Sequence, residues 1–234
     1  MAVLYAMPTH DDEIQLPFPP LVEQWERNDH PAQVRLKAYL DHVLNLLDHR
    51  NTGDGLALSL AVGRREFVPL DSDGRDLDNY LKPLARAVGA HRLAAVFGRK
   101  VRSTESRIAL TPARPRPEAA KQPQLVVRTH GSAGAAGWKE QIHEVCAAKF
   151  AEPTTGPVAL TIEFRVSPQR NWSELWKPAI DALGPMLGMP HPNRFHPRDD
   201  RIVALGLHRV VDDSVGHDVE LAMWYGPTIR VERG

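Results

Sequence analysis

Arg75-Asp-Leu-Asp-Asn-Tyr-Leu-Lys-Pro83 and Asn171-Trp-Ser-Glu-Leu-Trp-Lys-Pro178 are the two stretches whose reading decides the fold. They align at a shift of 95 residues, which sets Asp76 on Asn171, Asp78 on Ser173, Lys82 on Lys177 and Pro83 on Pro178. At the same shift Thr104-Glu-Ser-Arg-Ile108 falls on Asp199-Asp-Arg-Ile-Val203. Two anchors at one offset point to a tandem duplication, a pattern best sought before any fold is assigned.

The segments around the two motifs follow one order. Ile14-Gln-Leu-Pro-Phe-Pro-Pro20 reads as a short strand stopped by prolines, which lack the N–H a ladder needs. Val34, Leu36, Tyr39, Leu40, Val43, Leu44 and Leu47 recur at helical spacing, opened by Pro31 and closed by Asn51-Thr-Gly-Asp-Gly55. Leu56 to Val62 reads as a strand, and the first motif then opens a helix running to Val88. In the second half Leu125-Val-Val-Arg-Thr129 is a strand and Gly131 to Gly137 a loop. Trp138, Ile142, Val145, Cys146 and Phe150 mark a helix, and Val158 to Val166 is a strand leading to the second motif. Pro112 to Pro123, with four prolines, reads as the linker. The expected units are residues 1–111, a linker 112–123, and residues 124–234.

Composition narrows the class. The 234 residues are 42% hydrophobic and 25% charged, which excludes a fibrous or wholly disordered chain. One cysteine excludes an internal disulfide framework. No apolar run approaches the roughly 18 residues of a membrane span, so no membrane partner is expected. The start, Met1 to Pro8, lacks the basic flank of a secretion signal, and a cytoplasmic location is expected. Lys and Arg balance Asp and Glu at 29 each, which argues against non-specific nucleic-acid binding. The balance conceals an acidic start (Asp11, Asp12, Glu13, Glu23, Glu26, Asp29) and a basic stretch holding Arg99, Lys100, Arg102, Arg107, Arg114, Arg116 and Lys121. That stretch suits a phosphate-handling surface or, equally, a solvated linker.

Asp76-x-Asp78 is the sharpest chemical signal. In extended backbone both carboxylates face one side, and Asp78 suits the N-cap of the next helix. Lys82, four residues on, reaches Asp78 from the same helical face. Adjacent carboxylates repel, and a divalent cation relieves that repulsion; hard oxygen ligands favour magnesium or manganese. A lysine beside the cation offsets charge building on a phosphate. Without a metal, the same residues read as a helix cap, a turn and a surface ion pair.

Leu-Pro-Phe-Pro-Pro at the end of the first strand, Asp-Leu-Asp-Asn-x-x-Lys, and a downstream acidic residue followed by x-x-Ile108 together resemble the RusA family of magnesium-dependent endonucleases that resolve Holliday junctions. The resemblance covers about residues 14–110 and, more weakly, 124–225. It implies an α/β (α+β) fold of two RusA-like repeats, each a mixed sheet with helices, packed as a pseudo-dimer within one chain. It also implies a magnesium-dependent endonuclease on branched or structured DNA, with manganese as a substitute and further homodimerisation open. Asp76, Asp78 and Glu105 would hold the metal, Glu105 standing where the family has its third aspartate, and Lys82 would be the catalytic lysine. Arg75, Asn79, Arg99, Lys100, Arg102 and Arg107 would contact DNA. Glu105 extends that ligand by one methylene, and Thr104 and Arg107 also depart from the family pattern. The second copy keeps Lys177 and Asp199-Asp200 but has Asn171 and Ser173 for its leading aspartates, so it reads as non-catalytic. The other reading is a pseudo-nuclease serving as a DNA-binding or protein-interaction module.

His191, His196, His208 and His217 lack metal-ligand spacing and read as loop histidines. Gly131 to Gly137 matches no phosphate-loop fingerprint. Trp138 and Trp176 suit core positions better than base stacking, Trp172 leaves both open, and Cys146 reads as a buried helix residue.

Overall fold

The computed structural model describes residues 3–22, 30–47, 53–71, 75–116, 122–190 and 195–227. Glu23, Glu26 and Asp29 of the acidic segment, Asn51 and Thr52 of the helix stop, Pro117 and Lys121 of the linker, and His191 lie outside them.

Thirteen main strands and helices follow one another along the chain. They are β1 (Ile14–Gln15), α1 (Pro31–Leu47), β2 (Leu56–Arg64), α2 (Leu77–Val88), β3 (Leu93–Arg102), β4 (Arg107–Pro112), β5 (Leu125–Thr129), α3 (Ala136–Lys149), β6 (Val158–Val166), α4 (Trp176–Asp181), α5 (Gly184–Leu187), β7 (Ile202–Val211) and β8 (Val219–Pro227). The fold is mixed α/β, with one eight-stranded sheet in the order β1-β4-β2-β3-β7-β6-β8-β5. The expected strands and helices of both halves are present, and Gly137 belongs to α3 rather than to the preceding loop. The sequence reading assigns neither the two central strands, β3 and β7, nor β4 and β8.

The sheet repeats one four-strand order in reverse about its centre. In β2–β3, parallel, Leu56 faces Leu93 and Ala57 faces Ala95; in β6–β7, also parallel, Val158 faces Ile202 and Ala159 faces Ala204, with the same one-residue slip. By this register Leu93 corresponds to Ile202, 109 residues on. The antiparallel β3–β7 pairing is symmetric about Phe97 opposite Gly206. A 3-10 turn precedes each central strand, Ala90–Arg92 and Asp199–Arg201. Asp199 therefore corresponds to Ala90, and the constant 95-residue shift that paired it with Thr104 fails beyond the motif helices.

Alternation decides which face is covered. Leu56, Leu58, Leu60 and Val62 point into one core with Leu77, Tyr80, Leu81 and Leu84 of α2, and with the buried residues of α1 and α3–α5. Trp138, Trp172 and Trp176 are all fully buried there, which settles their role as core, and Cys146 is buried as read. Glycine at 98 lets α2 sit close to β3: an added Cβ would lie 2.9 Å from Leu81 Cδ1. The opposite face carries Ala57, Ala95 and Phe97, and the amino-terminal segment crosses it. Tyr5 N–H donates to His208 Nδ1 at 3.1 Å, while Ala6 N–H donates to the Arg114 carbonyl and Arg116 N–H to that of Leu4. The start of the linker is thus tied down. His208 is buried and neutral, its pKa lowered to about 3 by burial.

Candidate metal centre at the meeting of the two halves

α2 begins at Leu77, two residues earlier than an N-cap at Asp78 would place it. Asp76 occupies the N-cap position in extended backbone without a side-chain cap bond, and Asp78 lies in the first helical turn. A carboxylate there is favoured by the helix dipole. Asp76 accepts instead from Asn79 Nδ2 at 2.9 Å. Pro83 is inside α2, not near its start, so one backbone hydrogen bond is forfeited within the helix. In the second half the equivalent segment is divided into a 3-10 turn (Trp172–Leu175), α4 and α5, and Pro178 falls in the first turn of α4.

Since α2 lies over β3 and also touches β7, its amino-terminal turn meets the turn that precedes β7. Oxygens of Asp76, Asp78 and Asp199 lie within 4.8 Å of one another, and this is the one acidic group of metal-holding geometry among the described residues. The third carboxylate is Asp199 rather than Glu105. Glu105 sits between β3 and β4, 3.5 Å from Arg107 Nη2, in a cleft of 720 Å³ shared with Leu16, Phe18, Arg64, Arg65 and Arg75.

The lysine differs too. Lys177 Nζ stands 2.5 Å from Asp199 Oδ2, 3.2 Å from Asp181 Oδ1, 3.6 Å from Asp76 Oδ2 and 4.0 Å from Asp78 Oδ2. Asp181 is also held by Lys139 at 2.9 Å. Lys82 points away, to Glu174 Oε2 at 2.9 Å, where Arg86 joins it at 2.8 Å. The second half is therefore no bystander: it supplies Lys177, Asp181 and Asp199 to the aspartates of the first.

Electrostatics favour a cation. Burial first, then the nearby Asp199, pushes the Asp76 carboxyl up to about 7 against the pull of Lys177. Burial raises Asp78 to about 6, with Lys177 opposing and Asp199 and Asp181 adding. Burial alone would lower the Lys177 ammonium, yet Asp78, Asp199 and Asp181 outweigh it and raise its pKa. A divalent ion on these hard carboxylate oxygens would offset the burial and mutual repulsion that raise Asp76 and Asp78, and so favour their ionised forms.

The basic side chains assigned to DNA are engaged within the chain. Arg99 pairs with Glu13 at 2.6 Å, and Arg102 donates to the carbonyls of Arg65 and Val68. Lys100 is buried and donates to the Asp200 carbonyl at 2.8 Å, so it anchors the Asp199 turn instead of lining a surface. Arg75 and Arg64 both reach the Tyr80 hydroxyl, at 3.5 and 3.0 Å. Of the histidines, His196 and His217 are exposed and His208 is buried, and none joins the acidic group.

Sequence reasoning missed Lys177, Asp181 and Asp199 as partners of Asp76 and Asp78. A signal was present: the second motif has Asn171 and Ser173 in place of aspartates yet carries Lys177, with Asp199-Asp200 downstream, as a half-site serving another half would. No helix among the described residues is long and apolar enough to cross a membrane. No protein family, curated protein or solved structure matches the chain.

Proposed function

We propose that the chain is a magnesium- or manganese-dependent endonuclease acting on branched DNA, built as two RusA-like repeats fused into a pseudo-dimer. One observation carries this reading: the acidic trio is assembled from both halves around Lys177, from residues in the motifs that resemble the family's. Palindromic strand order and the matching register of β2–β3 and β6–β7 support the fused-repeat part.

When bound, a divalent ion would activate the attacking water and stabilise the leaving oxygen. Asp76, Asp78 and Asp199 would hold it. Lys177 offsets the negative charge that grows on the phosphate oxygens, and Asp181, steadied by Lys139, keeps the ammonium aimed at the cluster. The cleft with Arg64, Arg65 and Arg75 adjoins Asp76 along the chain and offers a basic path for one strand.

The test is a labelled four-way junction with magnesium, beside the Asp78→Asn variant. Cutting by the wild type alone supports the reading. Binding without cutting in magnesium or manganese overturns it in favour of a pseudo-nuclease, the outcome that the internally paired arginines would favour.

A further inference from the structure

The motif alignment and the strand register give every aspartate of the cluster a counterpart, and none of those counterparts is acidic. Asp76 and Asp78 correspond to Asn171 and Ser173, Asp181 to Arg86, and Lys177 to Lys82, while the strand register sets Asp199 on Ala90. These counterparts also meet in space. Trp172 Nε1 donates to the Ala90 carbonyl at 2.8 Å, Ser173 Oγ bonds Asn171 Oδ1 at 2.9 Å, and Lys82 and Arg86 both grip Glu174. All three metal-ligating positions are thus vacated together, and the lysine that would face a phosphate is neutralised by Glu174, which stands where the first half has Asn79.

Resting on the nuclease reading above, we propose that each chain makes a single incision: it nicks one strand of a branched duplex, and paired cutting requires a second chain. In that step the water oxygen forms a new bond to phosphorus, the phosphorus bond to one nucleoside oxygen breaks, and a water proton ends on the leaving oxygen. The position of Asn171, Ser173 and Ala90, beside the Lys82–Glu174–Arg86 ion pairs, is a joint between the halves that cuts nothing.

The experiment uses the full chain on a supercoiled plasmid that extrudes an inverted repeat as a four-way junction. Open circles as the first product support the proposal, with linear DNA arising only by later, independent events. Linear DNA that reverts to open circles when excess Asp78→Asn chain is mixed in also supports it, since two chains then share the work. Linear DNA unaffected by that mixing means that one chain cuts twice, and overturns it. Manganese titration supplies a readout independent of cutting: one ion per wild-type chain, lost in Asp78→Asn, is expected. If no product forms at all, the nuclease reading fails, and the titration alone decides whether one position is loaded; two equivalent ions, or none, overturn that.

Discussion

Replacing Asp78 with asparagine is expected to stabilise the metal-free protein, the reverse of what loss of a helix-terminal carboxylate usually does. Asp78 is 3% exposed, and its carboxyl is raised from 3.8 to about 6, burial being the largest cause. At about 1.4 kcal/mol per pKa unit, holding it ionised costs the folded state about 3 kcal/mol. A folded pKa above the unfolded one means the stability is fully present below the unfolded value and is lost as pH rises through the folded one. The wild type therefore carries the full penalty at about pH 8 and about 1 kcal/mol of it near pH 4.5. For a chain of this length that corresponds to a melting temperature about 6–12 °C higher for Asp78→Asn at the upper pH, with most of the gap closed at the lower. Thermal unfolding in excess chelator at the two pH values measures it. Adding magnesium or manganese should narrow the gap from the other side, because an ion at a hundred times its dissociation constant returns about 2.7 kcal/mol to the wild type alone. A variant less stable than wild type at both pH values in chelator would refute the reasoning. Asp78 would then be a structural carboxylate of the first turn, worth about 0.5–1 kcal/mol through the helix dipole.

Lys100→Met should cost about 1.5–3 kcal/mol in a denaturant titration and weaken manganese binding, because the ammonium ties the Asp200 carbonyl at 2.8 Å. Gly63→Ala should lower the denaturant midpoint by the equivalent of about 1–3 kcal/mol, since the new Cβ would meet the Glu105 carbonyl oxygen at 2.3 Å and force the turn after β3 to shift. Glu174→Gln loosens a surface-accessible joint with Lys82 and Arg86 and should cost about 1 kcal/mol or less, leaving metal affinity unchanged by calorimetry. His208 is held neutral, with its pKa lowered to about 3 by burial, so its contribution is complete above the ordinary value and is lost as pH falls toward the folded one. His208→Gln should flatten the decline of melting temperature between about pH 6.5 and 4.

β1, β2, β5, β6 and the longer helices are legible because each signals itself locally. Leu56 to Val62 alternates, and the apolar positions of α1 recur at helical spacing bounded by Pro31. β3 was not read because Leu93-Ala-Ala-Val-Phe-Gly-Arg-Lys-Val-Arg102 passes from apolar to basic midway, so its second half resembled a solvated run. The run sets Lys100 beside Arg99 and Arg102 as a DNA contact, whereas the central strand buries Lys100 against the Asp199 turn and leaves Arg102 exposed. Asp76 and Asp78 were recoverable from their spacing. Their partners were not, since pairing of β3 with β7 brings in side chains more than 90 residues away. Glu105 fits the downstream acidic position of the family pattern along the chain, but the turn before β4 carries it into a separate cleft and beside Arg107.

Calorimetric titration with manganese of the wild type, Asp199→Asn and Glu105→Gln tests the central claim most directly, that the metal centre is shared between the halves. One ion per chain should bind to the wild type and to Glu105→Gln with equal affinity, and at least about tenfold more weakly to Asp199→Asn, a loss of about 1.4 kcal/mol or more. Unchanged binding by Asp199→Asn together with loss in Glu105→Gln would contradict the account and return the third ligand to the first half.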